Sequence, residues 1–581
     1  MQLPILSELN TSREMVEVFK GYNHNLRIAD GEFYDMENLT SSFYPVLSPR
    51  GARGTHASPK KAAGLVAKDK LCYVDGEAFV VGTERIEMGL STKPEDCPKS
   101  LVPMGTYVII MPDKKYINIQ NLSDFGNIEA SVHSTSEVSF ELCKLDGEAY
   151  ADAVISDDAP AEPENMALWI DTSSTPHRLK QYSEQSAVWA TVATTYIKIS
   201  SEGIGKAFDI YDSVDISGIE PEQLADLNGN MTVWGKDENY IIVVGILDKT
   251  ETQTKPITVT RSMPIMDFII ESENRLWGCR YGLNAKGDIV NEIYASKLGD
   301  FKNWTSFMGL STDSYAVSVG TDGAFTGAVT HLGYPIFFKE TCMHKVYGNF
   351  PSNYRTTTTA CRGVQKGSHK SLAIVNEVLY YKSSKAICAY DGSLPQEISY
   401  ALGDISYSDA VAGVLGNKYY ISMKDEKETW ALFVYDAKAR MWHKEDDLRA
   451  DDFCTFQGEL YFIEHNTGTI KTAGGTGTPD TEQVKWMAET GIIGTDSPDK
   501  KVISRINLRM MLDTYAMATV YIMYDSSGEW EYALSVQGSK LRSVSVPIKP
   551  KRCDHMRLRI EGVGECKLYS ITKTIMQGSD T

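Results

Sequence analysis

The sequence predicts an all-β protein: a six- or seven-bladed β-propeller that carries a small inserted β-rich domain and is followed by a C-terminal β-sandwich. Three observations lead there. Apolar-aromatic bursts, each just after a turn signal, recur at nearly fixed spacing. The cadence breaks off for about 140 residues and then resumes. Beyond a Gly/Thr-rich stretch the chain alternates polar and apolar residues with period two, as half-buried antiparallel strands do.

The bursts are Asn-Arg-Leu-Trp-Gly around Trp277, Gly-Tyr-Pro-Ile-Phe-Phe around Phe337, Asn-Glu-Val-Leu-Tyr-Tyr around Tyr380, Gly-Asn-Lys-Tyr-Tyr-Ile around Tyr420 and Gly-Glu-Leu-Tyr-Phe-Ile around Tyr461. Their anchors stand 60, 43, 40 and 41 residues apart. A period of roughly 40–50 residues with several strands per repeat is that of a propeller blade. Tyr390-Asp391-Gly392 and Tyr435-Asp436-Ala437 hold equivalent late positions in neighbouring units, and Trp442 closes one of them. The count is five units after the interruption and one before it.

Residues 1–58 read as an N-terminal arm and entry segment, with a first strand hinted at by Val16, Val18 and Phe19. Residues 59–120 read as the first part of the propeller, with hairpins turning at Asp75-Gly76 and Pro112-Asp113. Residues 121–262 are the insertion, because a propeller loop tolerates an added domain and a strand does not. It holds an acidic, Pro-rich loop at 156–164, strand candidates at 167–170, 188–199, 231–235 and 239–246, and a short helix at 221–227 between Pro221 and Gly229. Residues 263–473 complete the propeller. Ala473–Pro479 is a linker by composition. Within 474–581, Ile506, Leu508 and Met510 alternate with Arg505, Asn507 and Arg509, and Asp525–Gly528 turns a hairpin.

Composition bounds the function. At 581 residues the chain is too long for one core and divides into about three or four domains. Its 31 tyrosines and 9 tryptophans suit strands. A net charge of −19 argues against tight phosphate binding, which needs dense Lys and Arg. The start, Met-Gln-Leu-Pro-Ile-Leu-Ser-Glu-Leu, lacks the basic and apolar regions of a secretory signal, and no run of 18 apolar residues predicts a membrane span. Ten scattered cysteines without a Cys-x-x-Cys pair read as free thiols of a protein made in a reducing cytosol.

The search for chemistry assigns no catalytic, cofactor-binding or metal-binding residue. Gly203-Ile204-Gly205-Lys206-Ala207 has neither the glycine spacing nor the Ser/Thr of a phosphate loop and reads as a turn. Glu445-Asp446-Asp447 with Asp451-Asp452 could offer hard oxygen ligands, but the spacing is not that of a calcium loop, and a solvated acidic loop between blades is the favoured reading. Asp525-Ser526-Ser527-Gly528-Glu529-Trp530 is similar to the Asp-box turn of sialidase propellers, yet it occurs once, at other spacings and outside the propeller, which favours a structural hairpin. Glycoside hydrolysis needs two carboxyls across one sugar, and no pair among 77 acidic residues stands out. His331 and His344 sit in aromatic blade segments and read as packed neutral imidazoles.

Two sets of phrases carry a resemblance. One is Phe19-Lys20-Gly21-Tyr22-Asn23, Asp30-Gly31-Glu32-Phe33-Tyr34-Asp35-Met36-Glu37-Asn38-Leu39 and Tyr44-Pro45-Val46-Leu47-Ser48-Pro49-Arg50. The other is Asn274-Arg275-Leu276-Trp277-Gly278 with Ile293-Tyr294-Ala295-Ser296-Lys297-Leu298-Gly299-Asp300-Phe301-Lys302-Asn303-Trp304. These resemble virion structural proteins of tailed bacteriophages, including propeller-bearing tail nozzle and stabilisation proteins. The resemblance covers residues 15–55 and 265–350. It implies a non-enzymatic virion protein of the tail or head–tail axis, made in the bacterial host cytoplasm. It implies as partners copies of itself in a ring and other tail or portal/adaptor proteins, with passing contact with DNA but no specific binding of it. The inserted domain and the sandwich depart from the nozzle pattern and leave the station in the virion open. The alternative is a tail protein that binds host-surface glycan, and after it a glycoside hydrolase.

Overall fold

The computed structural model describes residues 11–576 apart from 285, 481, 495–499, 539 and 550; the start read for a signal lies outside them. Strand accounts for 51% of the chain and helix for 3%, so the fold class is all-β. Two compact units are present. One is built from residues up to Leu101 with Gly323–Lys345 and the chain from Thr357 onward, the other from Val102–Asp322 and Val346–Thr356.

Every burst is the second of four neighbouring strands. For Trp277, Phe337 and Tyr380 these four are the whole sheet, whereas those of Tyr420 and Tyr461 continue into a ten-stranded and a five-stranded sheet. Trp277 lies in Arg275–Leu283, Phe337 in Tyr334–Lys339, Tyr380 in Val378–Lys382, Tyr420 in Lys418–Asp425 and Tyr461 in Glu459–Glu464. A second strand has partners on both edges and is covered on both faces, so it reads as a continuous apolar run. Seven blade sheets succeed one another among the described residues: 62–87, 100–127, 268–318, 327–360, 373–397, 407–444, and 450–472 completed by Gly54–Ala57. They are numbered here one to seven in that order. Two of them precede the insertion, where the sequence suggested one, because the hairpins at Asp75-Gly76 and Pro112-Asp113 belong to separate sheets.

In the first unit, neighbouring blades share apolar layers. Ile336, Phe338 and Met343 of blade four pack with Leu379 and Tyr381 of blade five. Tyr420, Leu432 and Val434 of blade six meet Leu460 and Phe462 of blade seven. Ile463 and Ile470 of blade seven meet Leu65 and Leu71 of blade one. In the second unit, Val102, Met104 and Ile109 of blade two pack against Leu276, Phe301 and Trp304 of blade three.

The insertion begins later than residue 121, since Phe125–Asn127 is the fourth strand of blade two. It is two sheets around a core of Phe140, Ile199, Val214, Ile241 and Val259, with a third sheet of Val154–Ser156, Leu168–Asp171, Arg178–Ser183 and Val188–Thr191. The candidate strand 188–199 is two strands, Val188–Thr191 and Tyr196–Ser200, in different sheets. The short helix is a 3-10 turn, Glu222–Leu227, with Pro221 just before it.

Residues 11–57 are not a free arm. Thr11–Val16 pairs with Cys566–Met576 at the edge of one sandwich sheet. Gly21–Tyr22 and Glu32–Glu37 bridge Met441–Lys444 of blade six to Lys485–Thr490 of the sandwich, making one ten-stranded sheet. Gly54–Ala57 closes blade seven beside Ile470–Thr472. The alternation expected of Val502–Leu512 is present, with Ile506, Leu508 and Met510 buried. The compositional linker is held in place: the Glu459 carboxylate accepts hydrogen bonds from Gly474 N (2.7 Å) and Thr476 Oγ1 (3.0 Å), and Thr478–Pro479 pairs with Gly54 and Thr55.

Candidate functional site

The residues of the first resembling phrase build a junction. Gly21 has φ +82°, and a Cβ there would lie 2.3 Å from the Trp442 carbonyl oxygen, so only glycine lets the chain lie against blade six. Asn38 donates its backbone N–H to Glu445 O (2.9 Å) and its side-chain amide to Lys485 O (2.9 Å), and accepts from Arg50 Nε (2.8 Å). One residue thus ties the segment, through its backbone N–H to the end of blade six and through its side chain to the sandwich. In the second phrase Arg275, 1% exposed, donates to the carbonyls of Ser296, Ser311 and Asp313. Asn303 accepts from Ser213 N (2.7 Å) and donates to Asp212 Oδ1 (3.0 Å) of the insertion.

Glu445 and Asp446 are neither calcium ligands nor a solvated loop. Arg53 reaches Asp446 at 2.6 Å and Glu445 at 3.0 Å, and Arg50 adds contacts at 3.2 and 3.4 Å. Burial pushes the Asp446 carboxyl up, but Arg53 and Arg50 outweigh it and hold the group below the usual range. Asp451 pairs with His465 (2.7 Å) and Asp452 with Lys370 (3.0 Å). Among the described residues no cluster of three His, Cys, Asp or Glu side chains could hold a metal.

In front of this network opens a cleft of about 500 Å³. Its walls come from Tyr22–His24, the strand Glu32–Glu37, blade six and the strand Lys485–Thr490. A bulge between Phe33 and Asp35 breaks the alternation of Glu32–Glu37. Phe33 and Met36 are both buried, while Asp35 and Glu37 line the cleft. Six carboxylates line it, those of Asp35, Glu37, Asp425, Glu445, Asp446 and Asp447, against a single ammonium, Lys444, which pairs with Asp35 at 3.0 Å. The side chains of Glu37 and Asp447 have no hydrogen-bond or ion-pair partner among the described residues. Desolvation raises the Glu37 carboxyl above its ordinary range; Lys444 opposes this, and Asp446, Asp35 and Asp447 add to it.

The aromatic lining is Tyr22, His24, Tyr407, Trp430 and Phe433. Tyr22 is 3% and Tyr407 8% exposed, and neither hydroxyl has a hydrogen-bond partner among the described residues. Desolvation, aided by Asp35, raises both phenols, so both are neutral. Arg449 lies over the Trp430 ring at 4.8 Å.

The other sequence candidates are structural. Gly203 (φ +71°) and Lys206 form a turn in which Lys206 N donates to Gly203 O. Asp525 caps its hairpin by accepting from Asp554 N (2.7 Å) and His555 N (3.3 Å). His331 Nε2 donates to Glu377 O at 2.7 Å. Burial, with help from Lys339, lowers His344 to about 4. The sequence reading missed the cleft. The Asp35-x-Glu37 spacing was a signal for one wall, but nothing local announces Asp425 and Asp447 opposite it.

No family model matches the chain, and no curated protein matches it. Among solved structures, BamB from Moraxella catarrhalis aligns at 10% identity over 73% of this chain and 97% of its own, with a TM-score of 0.32. PorZ, an essential bacterial surface component of the type-IX secretion system of Porphyromonas gingivalis, aligns at 11% identity over 88% and 82%, with a TM-score of 0.26. An exo-β-1,3-galactanase from Phanerochaete chrysosporium aligns at 8% identity over 52% and 94%, with a TM-score of 0.22. Likeness this slight carries no functional argument. No helix of the described residues is long and apolar enough to cross a membrane.

Proposed function

We propose that the chain is a structural, non-enzymatic component of a tailed-phage virion: a ring-forming tail or head–tail-axis protein, of nozzle or hub kind, that contacts its own copies and other tail or portal/adaptor proteins. One observation carries this reading. The phrases that resemble such virion proteins are the phrases that do structural joining here, through Gly21, Asn38 and Arg50 in one unit and Arg275 and Asn303 in the other. Segments that join one part of the chain to another are what a load-transmitting part requires, and repeated copies around an axis meet through heterologous contacts that close a ring. The net charge of −19 suits a passage that DNA crosses without adhering.

Electron microscopy of purified particles with this chain labelled tests it. Label on the tail axis at several copies per particle is the expected result. Label on peripheral fibres, or none on the particle, would overturn the reading, as would release of reducing sugar from host-surface polysaccharide by the purified protein.

A further inference from the structure

We propose that the cleft between blade six and the strand Glu32–Glu37 is a binding site for a primary alkylammonium ligand, of the diamine or polyamine class. The inference does not depend on the virion reading. Its first support is charge. Arg50 and Arg53 neutralise Glu445 and Asp446 from behind, and Lys444 pairs with Asp35, which leaves Asp425, Glu37 and Asp447 outside any ion pair among the described residues. Asp425 accepts from Lys427 N and Thr429 N, while Glu37 and Asp447 have no hydrogen-bond or ion-pair partner among the described residues. Unpaired carboxylates beside one another repel, and a bound cation relieves that repulsion.

The second support is independent of charge. Tyr22 and Tyr407 are more than nine-tenths buried, both line the cleft, and neither hydroxyl is satisfied by the protein. Both hydroxyl oxygens open onto the cleft, where water satisfies them until a ligand supplies the bond. A phenolic oxygen accepts from an N–H of an ammonium group while the carboxylates accept the others.

The third support is the shape of the donor set. The carboxylates do not converge as a metal requires, since no three of them form a metal-holding cluster among the described residues. They line a cleft of about 500 Å³ whose remaining wall mixes aromatic rings with Met36, Ile405, Ala431 and Met487. That volume falls in the range of roughly 300–1,000 Å³ typical of small-molecule sites. Separated anionic groups match ammonium groups separated by methylenes. Trp430, half-buried beneath Arg449, offers apolar surface to the methylenes. A neutral sugar would satisfy the hydroxyls and leave the charge uncompensated, and an anion would be repelled.

Isothermal titration of the full chain at physiological salt tests the assignment, with spermidine and cadaverine as probes. A trilysine peptide, Mg²⁺, Ca²⁺ and a panel of neutral oligosaccharides serve as comparators. The expected result is saturable spermidine binding that weakens tenfold or more in the double variant Glu37→Gln/Asp447→Asn and severalfold in Tyr407→Phe. The variant Glu162→Gln/Glu164→Gln, in the exposed acidic loop of the insertion, should bind as the parent does. Trilysine binding as tight as spermidine would keep the ammonium chemistry and assign its source to a protein partner. The proposal falls if the divalent ions or a sugar bind and the amines do not. It falls equally if the two double variants weaken spermidine alike, since binding would then be diffuse attraction to an acidic protein. Far-ultraviolet circular dichroism confirms that each variant is folded; both altered carboxylates are exposed and unpaired, so their removal leaves the fold intact.

Discussion

The N-terminal segment 11–57 and the insertion of about 130 residues are both additions to a plain propeller, yet they are built in opposite ways. The insertion has a core of its own, centred on Phe140, Ile199, Ile241 and Val259, and its strands pair among themselves. The N-terminal segment has none. Its buried residues Phe19, Tyr22, Phe33, Met36 and Leu39 belong to the core that also holds Tyr419 and Trp442 of blade six and Ile506 and Leu558 of the sandwich. A segment that lends Thr11–Val16, Gly21–Tyr22, Glu32–Glu37 and Gly54–Ala57 to other sheets, and keeps only the short pair Leu39–Thr40 with Ser48–Pro49 to itself, cannot fold alone, and its hosts are incomplete without it. A domain with a private core can be cut out as a piece.

Truncation should show the largest difference. A chain starting at residue 58 is expected to lose cooperative unfolding of blades six and seven and the sandwich, read by calorimetry and limited proteolysis. Residues 128–262 expressed alone should give a soluble domain with a sigmoidal melt. A cooperative melt for the truncated chain, or an unfolded insertion fragment, would dissolve the contrast.

Next in size is Arg53→Ala. It leaves Glu445, 5% exposed, without its nearest cation, and should lower stability by about 3–5 kcal/mol in urea unfolding. A loss below 1 kcal/mol would mean that Arg50 alone satisfies both carboxylates.

Acid should also act on the first unit. Burial lowers His344 to about 4 and His443 to about 3, in each case assisted by a lysine. As pH falls below about 6.5, the unfolded chain takes up protons at these imidazoles that the fold refuses. Stability should therefore decline with falling pH between about 6.5 and 4, by about 1.4 kcal/mol per pH unit for each histidine. His443→Gln should flatten that slope in pH-dependent urea titrations. The smallest effect belongs to the insertion's surface: Lys255 and Glu220 pair at 2.9 Å while both are exposed, and Lys255→Ala should change stability by less than about 1 kcal/mol.

What the sequence disclosed follows from the same physics. Second strands of blades are covered on both faces, so Phe337-Phe338 and Tyr380-Tyr381 stand out as apolar runs. Outer strands such as Gln396–Glu397 are short and exposed, which is why the blades could be timed but not fully counted. The closing strand Gly54–Ala57 reads Gly-Thr-His-Ala and carries no apolar signal; its strand character comes from Ile470–Thr472, far along the chain. The joining segment was mistaken for an arm because the bulge in Glu32–Glu37 hides its alternation. The cleft was illegible for a related reason. Asp35, Glu37, Asp425 and Asp447 look like ordinary surface carboxylates until the ten-stranded sheet brings three distant segments together. Arg50 and Arg53, which decide the fate of Glu445 and Asp446, likewise lie far from them in sequence.

Native-state hydrogen exchange tests most directly the claim that residues 11–57 are an integral joint. Backbone amides of Glu32–Glu37 and Gly54–Ala57 should exchange only with unfolding of Lys418–Asp425 and Val502–Leu512, at matching protection. Rapid exchange of the N-terminal strands while those partner strands remain protected would contradict the account and return the segment to the status of a loosely attached arm.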